Sequence, residues 1–259
     1  KKKMKKDKSK EGKVTEVFLV RHAESKLNLK DIFSSDPKND IGLSAEGKEQ
    51  AKKLAQRLKK EKVDVIYSSD LRRAVETIKP LADLNGYKIT LDKELREHDM
   101  GKYEMMTQGE IERKNPTLAR NWFSKYDGGD ASKVVLGESF PEAEKRLWSA
   151  FLRIVKKHAG QKIVVVTHQA PAKFIVGKLF GGLKYFKNFT IGNASISFIT
   201  CWNQGKNFKL QYLNDTSHLN LHGNKASGNP ELRSRIFRKA HGQSPARRSK
   251  IRARFNPKI

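Results

Sequence analysis

The chain has 259 residues, of which 37% are hydrophobic, and a formal net charge of +26 at pH 7. Such a length and apolar content predict a globular protein, and the sequence has no apolar run near the ~20 residues that a membrane-spanning helix needs. The single cysteine, Cys201, excludes an intramolecular disulfide framework and a cysteine-rich zinc site. The lysine-rich first residues also lack the apolar stretch of a secretory signal. We therefore expect a cytoplasmic protein, with a nuclear or organellar location as alternatives.

The positive charge is concentrated at the two ends of the sequence. Residues 1–13 carry a net charge of +6 and residues 222–259 a net charge of +10, which leaves +10 on residues 14–221. Hydrophobic periodicity is lost after position 221, where Gly, Asn, Ser, Pro and Arg dominate. We therefore predict a basic N-terminal extension at 1–13, one folded domain at 14–221, and a basic tail at 222–259 that is disordered on its own.

The first half of this domain has the pattern of alternating strands and helices. The segment Val14–Val20 is rich in β-branched residues and ends in the apolar run Val17–Val20, which predicts a buried strand. Ser44 is the predicted N-cap of the first helix, in which apolar residues recur at helical spacing. The other elements predicted in this half are a strand at 63–67, a helix from about 70 to 84 ended by Gly86, and a strand at 88–91.

The second half of the domain continues the alternation. Its predicted elements are a helix at 139–158 followed by Gly160, a strand at 163–167, a helix at 171–180, and a closing hairpin of strands at 196–202 and 208–213. Strands that alternate with helices predict a largely parallel sheet that is covered on both faces. The predicted fold class is therefore α/β, a three-layer α/β/α sandwich with a mostly parallel central sheet.

Polar residues follow each of the four predicted parallel strands. They are Arg21, His22 and Asn28 after the first strand, Arg73 after the second, Glu97 after the third and His168 after the fourth. Because ligands bind at the carboxyl edge of open α/β sheets, we expect these side chains to converge on one pocket.

The residue types in this predicted pocket suit phosphoryl transfer to a histidine. Imidazole is a competent nucleophile, so His22 would attack phosphorus, while Arg21 and Arg73 hold the phosphate oxygens. His168 would donate to a phosphate oxygen, and Glu97 would protonate the leaving oxygen. This set needs no metal and no other cofactor, and the sequence contains no metal-ligand pattern. The predicted partner is a small phosphorylated metabolite.

These motifs resemble those of the histidine phosphatase superfamily, the phosphoglycerate mutase-like proteins. The resemblance covers about residues 14–219, and its four motifs are RHAESKLN (21–28), YSSDLRRAVET (67–77), LREHDMG (95–101) and VVVTHQA (164–170). It implies that His22 is the phosphorylated nucleophile and that Glu97 is the acid. It also implies that the phosphate is bound by Arg21, Asn28, Arg73 and His168. We expect Gln169, next to the second histidine, to bind phosphate as well.

The sequence departs from the family pattern at three places. Ala23 replaces the glycine of the family's RHG motif, and we expect its methyl group to narrow the pocket. The family's G-D-W-E-G segment is GKYEM at 101–105, which alters the pocket rim. Gln169 follows the second histidine where the family has glycine, and together with EMMT (104–107) and GES (137–139) it resembles the fructose-2,6-bisphosphatase branch. This favours a sugar phosphate or bisphosphate as substrate.

Two alternative interpretations remain open at this stage. A mutase would need an extended lid, and residues 98–167 contain no Arg-rich insertion, so hydrolysis is favoured. The tail at 222–259 interleaves Arg and Lys with apolar residues, a composition that suits RNA or a ribonucleoprotein. The rival function is therefore a weakly active or inactive phosphatase-fold subunit that binds RNA through its basic ends. The sequence assigns no oligomeric state.

Overall fold

The computed structural model describes residues 13–124 and 129–219, which include a six-stranded sheet with helices on both faces. Nearly all of the predicted N-terminal extension at 1–13 and the whole predicted tail at 222–259 lie outside the described residues. The domain boundaries and the RNA-binding role of the tail therefore stay predictions. No helix in the described ranges has both the length and the apolar character needed to cross a membrane.

The central sheet has the strand order β3-β2-β4-β1-β5-β6. The strands β3, β2, β4 and β1 run parallel to one another, and β5 and β6 extend the sheet as an antiparallel hairpin. The sheet is therefore mostly parallel, as predicted. The strands span β1 Thr15–Arg21, β2 Val65–Ser68, β3 Ile89–Leu91, β4 Lys162–Thr167, β5 Ile196–Trp202 and β6 Asn207–Asp215.

The helices begin and end close to the predicted positions. The Ser44 hydroxyl accepts a hydrogen bond from the amide of Gly47 and caps the first helix, and Gly86 ends the second in the left-handed conformation. The last helix begins at Gln169 instead of the predicted Pro171, because a proline fits in a first turn where its missing N–H leaves no bond unmade. The helices span α1 Ala45–Lys59, α2 Arg72–Asn85, α3 Gln108–Lys114, α4 Pro116–Phe123, α5 Phe140–Lys157 and α6 Gln169–Phe180.

Two hydrophobic cores hold the helices against opposite faces of the sheet. On β1, Val17 and Leu19 pack into a core that contains residues of α5 and α6. The alternating residues Phe18 and Val20 pack into a second core with residues of α1 and α2. Because successive side chains of a strand point to opposite faces, both faces of β1 are apolar and covered. The predicted three-layer α/β/α architecture is confirmed.

Candidate active site

The two candidate histidines lie side by side because their strands are neighbours. In the parallel pairing of β1 with β4, Arg21 stands opposite Thr167, so His22 and His168 leave the sheet at the same level. Their ring centroids are 5.0 Å apart, with an angle of 58° between the ring planes. Both side chains are buried. The carboxyl edge of the sheet therefore brings the two imidazoles side by side.

His22 has the protonation state that a nucleophile needs. Its Nδ1 lies 2.7 Å from the carbonyl oxygen of Ala23. A carbonyl oxygen can only accept, so Nδ1 carries the proton and Nε2 keeps its lone pair. Burial lowers the pKa of His22 well below its usual value, and the positive charges of Arg73 and Arg21 lower it further. At neutral pH the ring is therefore uncharged, with Nε2 as a free base.

His168 is held by a serine that follows the neighbouring strand. Its Nε2 lies 2.9 Å from Oγ of Ser69, the residue after β2. Its Nδ1 is buried and has no hydrogen-bond partner among the residues that the structure describes. Burial, followed by the charge of Arg73, lowers the pKa of His168 well below its usual value. Because a buried nitrogen is costly to leave unpaired, Nδ1 suits a hydrogen bond to an oxygen of bound phosphate.

Arg21 is a half-buried cation at the end of β1. Its Nη1 donates to the carbonyl oxygen of Ile191 at 2.7 Å, while Nε has no partner within the described part of the chain. Burial lowers the pKa of Arg21 to about 10, with Glu97 opposing and Arg73 adding to that effect. The guanidinium therefore remains charged at neutral pH and can offer a donor to an anion.

Arg73 lies in the first turn of α2 and is fixed by a buried ion pair. Its Nη1 lies 3.2 Å from Oδ2 of Asp40, and its backbone amide donates to the same oxygen at 3.1 Å. Its Nη2 donates to the carbonyl oxygen of Ser34 at 2.8 Å. The side chains of Arg73 and Asp40 are only 5% and 1% exposed. A charge buried in this way needs a partner, and Asp40 supplies it.

Glu97 is a half-buried carboxyl group with a raised pKa. Burial is the main cause, and it outweighs the lowering by the amide of His98 and by the two arginines, Arg73 and Arg21. The amides of His98 and Gln169 donate to its two oxygens at 2.9 and 3.2 Å. A carboxyl group that keeps its proton more readily than usual suits general acid catalysis. Glu97 also lines a cleft of about 620 Å³ whose other walls carry charged residues, among them Lys93, Arg96 and Arg146.

Comparison with known proteins decides the family. The family model of the histidine phosphatase superfamily (branch 1) matches residues 17–216. The chain belongs to the histidine phosphatase superfamily. The predicted resemblance and the predicted enzyme class, a histidine phosphatase, are thereby confirmed. The finer resemblance to fructose-2,6-bisphosphatases stays a prediction.

Relatives of this histidine phosphatase include proteins named as phosphoserine phosphatases. "Putative phosphoserine phosphatase 2" of Hydrogenobacter thermophilus is 36% identical over 203 residues, which cover 78% of this chain and 96% of the relative. "Metal-independent phosphoserine phosphatase" of Arabidopsis thaliana is 30% identical over 215 residues, covering 82% and 87% respectively. Among solved structures, the phosphoserine phosphatase of Entamoeba histolytica in complex with 3-phosphoglyceric acid has a TM-score of 0.67 at 28% identity. That alignment covers 79% of this chain and 99% of the other.

Asn28 and Gln169, the remaining predicted phosphate ligands of this histidine phosphatase, make contacts at the edge of the pocket. Oδ1 of Asn28 accepts from the amide of Ser25 at 3.0 Å and from Nδ2 of Asn193 at 3.2 Å. Gln169 is the first residue of α6, and its backbone amide donates a hydrogen bond to Glu97. Their roles toward phosphate stay predictions.

The expectation that Ala23 narrows the pocket is wrong. Its side chain is completely buried and packs in a small core with Leu43, Ala51 and Ala194. Its backbone amide donates to Oγ1 of Thr77 at 2.9 Å. The methyl group therefore contributes no surface to the pocket, because it fills space between the loop after β1 and the neighbouring elements.

Sequence reasoning did not single out several residues that support the site. Ser69 lies two residues after the strand predicted at 63–67, in the YSSDLRRAVET motif, and its place just past a strand end was the available signal for it. Asp40 and Asn193 lie in loops, and no sequence pattern marks them. Asn193 donates through Nδ2 to the carbonyl oxygen of His22 at 3.2 Å and so fixes the backbone at the candidate nucleophile. Among the described residues, no group of three or more His, Cys, Asp or Glu side chains is arranged to hold a metal ion.

Proposed function

We propose that this histidine phosphatase hydrolyses phosphate monoesters of small metabolites, without a metal, through a phosphohistidine at His22. One observation carries the proposal: Nε2 of His22 keeps its lone pair, and the ring lies beside that of His168, with the two centroids 5.0 Å apart. The guanidiniums of Arg21 and Arg73 supply positive charge there, and both lower the pKa of His22. Arginine charge of this kind does for the transferring phosphoryl group what a metal ion does in other phosphoryl transfer enzymes.

The first half of the proposed reaction transfers the phosphoryl group to the enzyme. Arg21 and Arg73 bind the phosphate oxygens, and Nε2 of His22 attacks phosphorus in line with the ester oxygen. The P–N bond forms as the P–O bond to the leaving group breaks. Glu97 gives its proton to the leaving oxygen, which departs as an alcohol. The raised pKa of Glu97 supports this role, because it keeps the acid protonated over a wider pH range.

The second half returns the enzyme to its starting state. The Glu97 carboxylate takes a proton from a water molecule as the water oxygen attacks the phosphorus of the phosphohistidine. The P–N bond breaks and inorganic phosphate forms, while Nε2 of His22 recovers its lone pair. The hydrogen bond from Nδ1 of His22 to the carbonyl oxygen of Ala23 holds the ring in one tautomer and orientation throughout.

For the substrate, we favour a small phosphorylated hydroxy acid or amino acid over a sugar phosphate. Relatives named as phosphoserine phosphatases and the relative crystallised with 3-phosphoglyceric acid support this choice. The cleft beside Glu97, where the leaving group would lie, also supports it, because cationic and anionic side chains both line that cleft. The sequence likeness to fructose-2,6-bisphosphatases keeps a sugar bisphosphate as the second candidate.

The test is turnover of phosphoserine, 3-phosphoglycerate, fructose 2,6-bisphosphate and p-nitrophenyl phosphate in EDTA, with His22→Ala beside the wild type. We expect chelator-resistant hydrolysis, fastest on one of the two C3 acids, and its loss in His22→Ala. His158→Gln is the matched histidine control, because His158 follows α5 near the amino ends of the parallel strands and bonds to Tyr67 and Gln161. Undiminished turnover in His22→Ala, or turnover abolished by EDTA, would contradict the mechanism.

A further inference from the structure

The carboxylate of Glu104 lies at the centre of a dense set of hydrogen bonds. The donors all come from one short segment, residues 34–39, although it is some 65–70 positions away in sequence. They are the hydroxyl of Ser34, the amide and hydroxyl of Ser35, the amide of Asp36 and the side-chain amide of Asn39. Burial raises the pKa of Glu104, but these bonds outweigh it and the net shift is downward. Glu104 is therefore ionised at neutral pH and organises this segment as an anion.

The same segment is what holds Arg73. The carbonyl oxygen of Ser34 accepts from Nη2 of Arg73 at 2.8 Å, so Ser34 contacts Glu104 with its side chain and Arg73 with its main chain. At the other end, Asp40 accepts from Nη1 of Arg73 at 3.2 Å. Glu104 thus fixes the position of the loop that supplies both side-chain contacts of this guanidinium.

Ser35 connects the same centre to the loop that carries Glu97. Its hydroxyl donates to Glu104 at 3.0 Å and accepts from the amide of Met100 at 3.0 Å, three residues beyond Glu97. The carboxylate therefore lies where the loop of the candidate acid meets the loop that holds the candidate phosphate-binding arginine. Glu104 can therefore affect the reaction through these two loops without contacting the phosphate itself.

We propose that Glu104 is a positioning residue that sets the orientation of Arg73 through residues 34–40. The inference rests on the proposed role of Arg73 in phosphate binding. A guanidinium holds phosphate well only when its N–H groups are aimed at the oxygens, and small displacements cost much of the transition-state stabilisation. An uncharged amide at position 104 would replace one of the two acceptor oxygens by an NH₂ donor facing backbone amides of the segment, and would loosen it.

A double-mutant cycle between Glu104 and Arg73 tests the proposal. In the wild-type background, Glu104→Gln should lower kcat/KM for p-nitrophenyl phosphate about tenfold, with most of the loss in kcat, and should weaken inorganic phosphate binding measured by calorimetry about tenfold. In the Arg73→Ala background, the same substitution should change both quantities by less than about twofold, because the residue through which it acts is gone. Equal losses in both backgrounds would overturn the proposal, and so would unchanged activity in the single variant.

Glu142→Gln is the matched control. Glu142 also accepts from a serine hydroxyl and a backbone amide, in the capping box of α5, and none of its hydrogen bonds reaches the pocket. We expect kcat/KM within about twofold of the wild type for this variant. If Glu104→Gln does not fold, Ser34→Ala decides instead, because it removes one donor to Glu104 and keeps the main chain. It should lower kcat/KM about threefold in the wild-type background and have no effect in Arg73→Ala.

The outcomes also separate this inference from the proposed function. If the phosphohistidine mechanism is wrong, His22→Ala retains turnover whatever happens at position 104. If the mechanism holds and only the positioning role is wrong, His22→Ala is inactive, while Glu104→Gln lowers kcat/KM by the same factor in the wild-type and the Arg73→Ala backgrounds.

Discussion

The backbone amide of His22 donates a hydrogen bond to the carbonyl oxygen of Thr167 at 2.9 Å. Because Thr167 directly precedes His168, this backbone bond fixes the spacing of the two residues that carry the imidazoles. It does so independently of side-chain contacts. The bond continues the parallel ladder of β1 and β4 by one residue. Two apolar strands that pair in register are therefore sufficient to bring the candidate nucleophile and the second histidine together.

The role of Glu97 as the acid predicts a dependence on the leaving group. Glu97→Gln should lower kcat for phosphoserine by about 10²–10³-fold, because an alkoxide leaves poorly without a proton. The rate at which p-nitrophenyl phosphate phosphorylates His22, measured from the burst of p-nitrophenol, should fall less than about tenfold. p-Nitrophenolate is a good leaving group that departs without a proton. Equal losses on the two substrates would assign another role to Glu97.

The pH profile of the wild type provides a second check on Glu97. The acid acts in its protonated form, so kcat/KM for an alkyl phosphate should decline as the pH rises through the pKa of Glu97, which burial raises above its usual value. The decline should disappear in Glu97→Gln. A decline of the same shape in that variant would mean that a different group titrates.

Ser69 is predicted to assist catalysis through His168. Ser69→Ala removes the hydroxyl that lies 2.9 Å from Nε2 of His168 and leaves the backbone at the end of β2 intact. We expect kcat to fall about three- to tenfold, which corresponds to about 1 kcal/mol for the lost hydrogen bond to His168; the bond from the amide of Leu71 to the same hydroxyl, at 3.3 Å, is lost as well. Steady-state kinetics on p-nitrophenyl phosphate measure this, with Ser132→Ala, which lies in an exposed turn, as the control. Unchanged kcat would show that packing alone orients His168.

The buried methyl group of Ala23 gives a prediction about stability. Ala23→Gly restores the family residue, yet the side chain faces the core and not the pocket. We therefore expect kcat/KM within about twofold of the wild type and a loss of about 1–2 kcal/mol in the free energy of unfolding, from the lost methyl burial and the added backbone freedom. Urea unfolding and steady-state kinetics measure the two quantities. A large gain in kcat/KM would mean that the methyl group obstructs the substrate.

His98 predicts how stability depends on pH. It is buried against Phe140, and its Nε2 donates to the carbonyl oxygen of Glu138, while Nδ1 has no partner in the described part of the chain. Burial lowers its pKa to about 4. Since the unfolded chain binds a proton near pH 6.5, this residue contributes stability above that pH and loses it as the pH falls toward 4.

The size of this effect can be isolated with a single variant. Between pH 7 and pH 4.5, His98 should account for about 2–3 kcal/mol of the loss in unfolding free energy. In His98→Gln, which keeps a donor for the Glu138 carbonyl, the loss over this interval should be smaller by that amount. Parallel urea titrations at the two pH values measure the difference. Identical losses in the two proteins would show that His98 does not titrate in this range.

Much of the fold and the meeting of His22 with His168 at one sheet edge could be predicted from the sequence because local patterns mark them. An apolar run followed by Arg21 and His22, and another followed by His168, indicate two strand ends at one sheet edge. Asp40 could not be found in this way, because its pairing with Arg73 depends on how a loop folds back across 33 positions. The same holds for the contact of Asn193 with the carbonyl oxygen of His22, at a separation of 171 positions.

Position 23 shows a second reason why details of the site could not be predicted from the sequence. The sequence marks Ala23 as a departure from the family pattern, but the direction of its methyl group depends on the packing of Leu43, Ala51 and Ala194 around it. These residues belong to a loop, a helix and the turn before the closing hairpin, so their meeting point is a property of the folded chain.

The most direct test of the central claim is to trap the phosphoenzyme. The wild type is mixed with excess p-nitrophenyl phosphate, quenched in alkali within milliseconds, digested, and analysed by mass spectrometry. The proposed mechanism predicts an alkali-stable, acid-labile phosphoryl group on the peptide that contains His22, formed at the rate of the p-nitrophenol burst and absent in His22→Ala. A phosphoryl group on another residue, or a burst without any phosphorylated peptide, would contradict it.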